Sequence, residues 1–176
     1  LLDITRAGEH HRSPQFQGRD AVAGDLMGAI DFTSRIPRHK RQALERLLFF
    51  NGCQDRVARD IVEAIDKYGH PEIFDDGEGL RVRLTSMPEA SSIFAVEGDS
   101  GRPIGVAVYI RADQEHVTVV HLGVAEDYCS GGLHEAVNLP LRLVREVKRS
   151  SRRIKGVRRL EVAYCTQRPR PSSGAF

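Results

Sequence analysis

Apolar and polar residues change their spacing twice along this chain. From Pro37 the pattern is helical: Ala43, Leu44, Leu47 and Leu48 share one face, and Asn51-Gly52 stops the run. A second stripe, Val57, Ala58, Ile61, Val62, Ile65 and Tyr68, predicts another helix, ended by Gly69-His70-Pro71. The two helices form a hairpin. After the acid- and glycine-rich loop 75–79 the period falls to two, with Leu80, Val82 and Leu84 alternating with Arg81, Arg83 and Thr85 as in a half-exposed strand. Strands follow at 92–97, 103–110 and 116–124, joined by the turns 98–101 and 112–114, so these three make a meander.

The last part returns to a helical period, with Leu139, Leu143, Val144 and Val147 inward, before one more strand at 160–164. Pro140 fits the first turn of that helix if Asn138 is its N-cap, because a missing N–H costs nothing there. A strand reached by a helical crossover lies parallel to the strand before it. The expected fold is therefore α+β, a mixed and mostly antiparallel sheet flanked by helices. Residues 1–20 read as an irregular arm, 21–165 as a single domain and 166–176 as an irregular tail.

At 176 residues, 40% hydrophobic and 28% charged, the chain is long enough to bury one sizeable core. No apolar run approaches the ~20 residues of a bilayer-spanning helix, and no basic-then-apolar leader opens the sequence, so no membrane is expected and the chain reads as cytoplasmic. Cys53, Cys129 and Cys165, odd in number and widely spaced, read as reduced thiols. The chain starts at Leu1 rather than Met, so the sequence need not be the whole gene product.

Charge is distributed unevenly. Residues 142–170 hold eleven Lys or Arg against Glu146 and Glu161, an excess of nine, which leaves an excess of seven acids elsewhere because the whole chain sums to +2. The readings of this stretch are a solvated helix face, a site for the 3′-phosphate of a coenzyme, or a nucleic-acid surface. The third is the weakest, since Tyr164 is the only aromatic there for stacking on bases.

The run from His116 to His134 carries the candidate chemistry. An apolar strand enters the turn Tyr128-Cys-Ser-Gly-Gly-Leu-His134 and then a helix. Glycines allow close approach to backbone, and helix-initial amides attract anions, so the turn is a candidate phosphate cradle. The competing reading is a plain strand-to-helix connection. His121, Cys129 and His134 are of zinc-ligand type but match no zinc module in spacing, so no metal is assigned.

This order of helix, helix, meander, glycine turn, helix and strand resembles the GCN5-related N-acetyltransferase (GNAT) family over residues 38–164. The family's turn runs Gln or Arg, two variable residues, Gly, one variable residue, then Gly or Ala; here it reads Cys129-Ser130-Gly131-Gly132-Leu133-His134, matching at Gly132 alone. The resemblance implies acetyl-CoA as co-substrate. Its pantetheine arm would lie along Leu122, Gly123 and Val124, and its pyrophosphate in the loop Cys129, Ser130, Gly131, Gly132, Leu133 and His134. It also implies attack of an unidentified primary amine on the thioester. The strand would supply a histidine base, His121 or His116, placed on opposite faces by simple alternation. The family's Tyr acid follows the last strand, and with that carboxy-terminal segment lacking here Tyr164 is the substitute.

The acids Asp75, Asp76 and Glu78 would suit a cationic acceptor, a small molecule or a protein amine. The alternative function is a catalytically inactive GNAT-fold binding or regulatory protein, because His134 stands where the family has a small residue, Glu135 brings negative charge to the loop, and the Tyr helix is lacking. A sheet lacking its final strand leaves an edge that a second copy would cover, so a homodimer is expected.

Overall fold

The structure, a computed structural model, describes residues 29–49 and 51–163. The arm at 1–20, the tail at 166–176, Tyr164 and Cys165 lie outside them. Leu44, Leu47 and Leu48 are the buried face of α1 (Arg41–Phe49), which Asn51 ends by extending and capping the 3-10 turn Gly52–Val57. Helix α2 (Ala58–Tyr68) follows, and Gly69 stops it at a φ of 85°.

The main sheet holds β1 (Ile30–Thr33), β4 (Ser91–Glu97), β5 (Pro103–Arg111), β6 (His116–Val124) and β7 (Arg159–Val162), side by side in that order. The expected meander is β4, β5 and β6, each antiparallel to the next, and β7 is parallel to β6 as its helical crossover requires. The result is an α+β architecture with a mixed, mostly antiparallel sheet. The alternating strand at 80–84 does not join this sheet. As β3 (Leu80–Leu84) it pairs with β2 (Pro71–Asp75) in a separate hairpin. Pro71, expected only to end the helix, also opens β2, a strand position that tolerates a missing N–H.

Helices cover both faces. On one, α1 and the β2–β3 hairpin pack Leu44, Leu47, Leu48, Val82 and Leu84 against Phe94, Val106 and Val108. On the other, α3 (Leu139–Ser151) buries Leu139, Leu143 and Val147 against Ala95, Ala107 and Val119. Gly105 is glycine because a Cβ there would sit 2.8 Å from a Leu143 methyl. Helix α3 begins where Pro140 demands, one residue after Asn138, whose φ is 50° and whose side chain makes no capping bond. Among the described residues no helix is long and apolar enough to cross a membrane.

Candidate functional site

The carboxy-terminal end of β6 is where three connections converge. Gly123 lets β6 pass close under α1, since a Cβ there would sit 3.1 Å from the Leu47 carbonyl and 3.2 Å from a Val106 methyl. Just beyond, the Asn51 side chain donates its amide to the Val124 carbonyl and accepts from the Cys53 N–H at 3.0 Å. The Gly52 N–H donates to the Glu126 carboxylate at 2.9 Å. The α1–α2 connection is thus fastened to the chain leaving β6.

A disulfide between Cys53 and Cys129, with Cα atoms 6.5 Å apart, is the covalent part of this fastening. It corrects the expectation of reduced thiols and removes the support those thiols gave to a cytoplasmic reading. The two cysteines stand 76 residues apart in sequence. Only the packing of α1 beside the end of β6 brings them together.

Between these fastenings lies a cavity of about 270 Å³, walled by Asn51, Cys53, Leu122, Val124, Tyr128 and Cys129, with Glu135 and Pro140 at its α3 side. Of the residues expected to hold a cofactor, Leu122, Val124, Cys129 and Ser130 reach its wall, whereas Gly123, Gly131, Gly132, Leu133 and His134 do not. Leu133 is 86% exposed, and His134 turns its ring onto Tyr128, with centroids 4.8 Å apart.

The glycine turn is closed on itself. Its Gly132, His134 and Glu135 amides donate to the carbonyls of Cys129, Asp127 and Gly132 at 2.9, 2.7 and 3.2 Å. The Gly131 N–H and the Ser130 hydroxyl both donate to the Glu135 carboxylate, at 2.9 and 3.0 Å. Those two bonds, the amide's the stronger influence, hold Glu135 below the usual carboxylate range. The chain's own carboxylate therefore stands where the cradle reading places a ligand's anion. Each glycine has a local reason: Gly131 has a φ of 86°, and a Cβ on Gly132 would lie 2.5 Å from the Glu126 carbonyl oxygen.

The two strand histidines are not at this cavity. A bulge at Val120 shifts the β5–β6 register so that His121 pairs with Val108 while Val119 pairs with Tyr109. His121 consequently shares the α2-side face with Thr118 and His116, not the opposite face that unbroken alternation predicts. It is buried beside α2, in a crevice shared with Ile61, Ile65 and Tyr68, and burial lowers its pKa to about 4. The imidazole is neutral at physiological pH. His116 lies at the far end of β6, six residues or about 20 Å along the strand from Leu122, with Nδ1 2.5 Å from an Asp113 carboxylate oxygen.

The acids proposed for a cationic acceptor are engaged elsewhere. Asp75 bonds Arg38, which holds its carboxyl below the ordinary range. Arg35 reaches Asp76 at 2.8 Å and Glu78 at 2.9 Å, so all three close the β2–β3 turn. Sequence reasoning missed a different acidic group. Arg102 bonds Glu97 and Asp127, each at 2.6 Å, and its guanidinium holds the Glu97 pKa down to about 2, against the opposing effect of burial. Tyr128 donates its hydroxyl to Glu97 at 3.3 Å, and burial raises its pKa. Arg102, Asp127, Glu126 and Asn51 line a broad open groove of about 830 Å³ that meets the smaller cavity at Asn51. Asn51 was read only as a helix stop, and the polar side chain beside a glycine was the available signal of more. No family model and no curated protein matches the chain.

Proposed function

We propose that the protein has a GNAT-like fold, binds acetyl-CoA at the end of β6 and transfers its acetyl group to a primary amine. The observation carrying this reading is the cavity of about 270 Å³ at the carboxy-terminal end of an inner strand, with Leu122 and Val124 in its wall and the entry to α3 at its rim. In that reading the pantetheine arm runs beside Leu122 and Val124. The amine nitrogen forms a bond to the thioester carbon as the carbon–sulfur bond breaks, the departing thiolate takes up a proton from a hydroxyl donor, and the proton the nitrogen loses restores that donor. Tyr128, a residue of the cavity wall kept protonated by burial, takes the donor role first given to Tyr164 by giving up its hydrogen bond to Glu97.

A second reading, a binding module without turnover, is favoured by Glu135 on the Gly131 amide and by a cavity wall that contains neither His121 nor His116. Isothermal titration with acetyl-CoA, followed by a free-thiol assay against a panel of primary amines, separates the two. The expectation is micromolar binding, tighter by about tenfold in Glu135→Gln, where the competing charge is gone. Binding with no thiol released supports the module; no binding at millimolar coenzyme, oxidised or reduced, sinks both.

A further inference from the structure

The strongest unassigned feature is the outer face of α3 and the turn that follows it. Leu139, Leu143, Val147 and Ser151 face inward and are buried, which leaves Arg145, Lys148, Arg149 and Arg152 exposed along one solvent-facing stripe. Arg153, Lys155, Arg158 and Arg159 continue it, all exposed, through the turn into β7. Among the described residues acids neutralise two of these eight: Arg149 bonds Glu146 at 2.8 Å and Arg158 lies 3.8 Å from Glu115. Arg145, Lys148, Arg152, Arg153, Lys155 and Arg159 enter no ion pair among the described residues.

The turn is a pinned platform. The Arg111 guanidinium bonds the carbonyls of Asp113, Gln114 and Lys155 at 3.0, 2.9 and 3.3 Å, tying residue 155 to the β5–β6 turn. The Arg158 and Arg159 amides both donate to the Glu115 carbonyl, at 2.8 and 3.0 Å. Gly156 makes the close approach possible, with a φ of 97° and a Cβ position 3.0 Å from the Gln114 carbonyl oxygen. Such anchoring fixes the cations relative to one another, so less order is lost when they meet a ligand.

From this arrangement we propose that the α3 stripe and its turn form a docking face for the phosphate backbone of a duplex nucleic acid, read without regard to sequence. Residues three and four apart on a helix have Cβ atoms roughly 5–6 Å from each other, so their long cationic side chains rise from one row and can follow a row of phosphates. Six of the eight are Arg, whose planar fork bonds phosphate oxygens in pairs. No aromatic residue occurs between 142 and 163, so the face has no platform for unpaired bases, and single strands are disfavoured relative to duplexes. This face is separate from the β6 cavity, and the proposal stands whether or not acetyl-CoA binds.

The test is fluorescence anisotropy with labelled duplex DNA and duplex RNA of mixed sequence, from about 50 to about 200 mM salt. Binding is expected for at least one duplex, insensitive to base sequence, with a slope of log affinity against log salt near −5, roughly 0.9 for each of the six unpaired cations. The triple variant Arg145→Gln/Lys148→Gln/Arg152→Gln should shallow that slope by about 3, and Arg153→Gln/Lys155→Gln by about 2. Thermal unfolding checks that both variants fold, and the second does not touch the helix. Arg59→Gln, on the exposed side of α2, should leave binding unchanged. The proposal is overturned if neither duplex binds, if both variants bind as the parent does, or if polyglutamate or anionic vesicles bind as tightly.

Discussion

Of the turns that carry glycines among acids, 75–79 in the β2–β3 hairpin and 126–138 after β6 close by different means. In the hairpin, the carboxylates of Asp75 and Asp76 accept the amides of Gly77, Glu78 and Gly79 and then draw in Arg38 and Arg35 from the segment before α1. In the second turn Arg102 pairs with Asp127, but among the described residues no guanidinium reaches Glu135, which bonds a local amide and hydroxyl, and the loop is also tied to the α1–α2 connection by sulfur. The same residue types thus make a turn latched by charge alone in one place and, beside a cavity, a turn with a covalent latch added to its ion pair in the other. Composition does not distinguish them; the neighbours that folding delivers do.

The largest way to break that contrast is reduction. Opening the Cys53–Cys129 bond, or replacing Cys53 by Ser, should lower the unfolding free energy by about 4 kcal/mol, the chain-entropy value for a closed loop of this length. Urea melts with and without reductant measure it, and coincident curves would show that the bond does not form. Next is Gly132→Ala. Its methyl would meet the Glu126 and Asp127 carbonyl oxygens at 2.5 and 2.7 Å, so a loss of about 2 kcal/mol is expected in the same assay. An equivalent change at Gly77 meets nothing within 4 Å, yet its φ of 94° makes it the smaller of two costs instead of a neutral one.

The smallest effect sharpens the comparison through pH and salt. Asp75, Asp76 and Glu135 all have folded pKa values lowered from 3.8, 3.8 and 4.5. A lowered carboxylate stabilises the fold above its unfolded pKa and loses that contribution as pH falls through the folded one. Amide protection in both turns should therefore decline in acid below those values. Added salt at neutral pH should loosen the hairpin turn more, because the second turn keeps its disulfide when the Arg102–Asp127 pair is screened. Equal salt responses, read by hydrogen exchange, would erase the distinction.

Much of the architecture was legible because it depends on local period. The stripes of α1, α2 and α3, the alternation in β3, and the meander β4–β6 follow from residues within one element, as does the placement of Pro140 in the first turn of α3. β1 was missed because four residues, Ile30–Thr33, are too few to show a period; pairing with β4 is what makes them a strand. The face of His121 was misjudged because a single inserted residue at Val120 reverses everything downstream, and nothing in Val119-Val120 announces it. At the site, Leu122 and Val124 were expected only through the family resemblance, whereas Asn51 and Cys53 belong to a segment that meets the end of β6 only in three dimensions.

The Cys53–Cys129 bond also gives the polypeptide a covalent topology. It makes residues 53–129 a closed ring that contains α2, both hairpin strands and β4 to β6, while β1, α1, α3 and β7 hang from it as two arms. A backbone cut inside the ring leaves one molecule until the sulfur bridge is reduced. A cut after residue 129 sheds the whole basic arm at once.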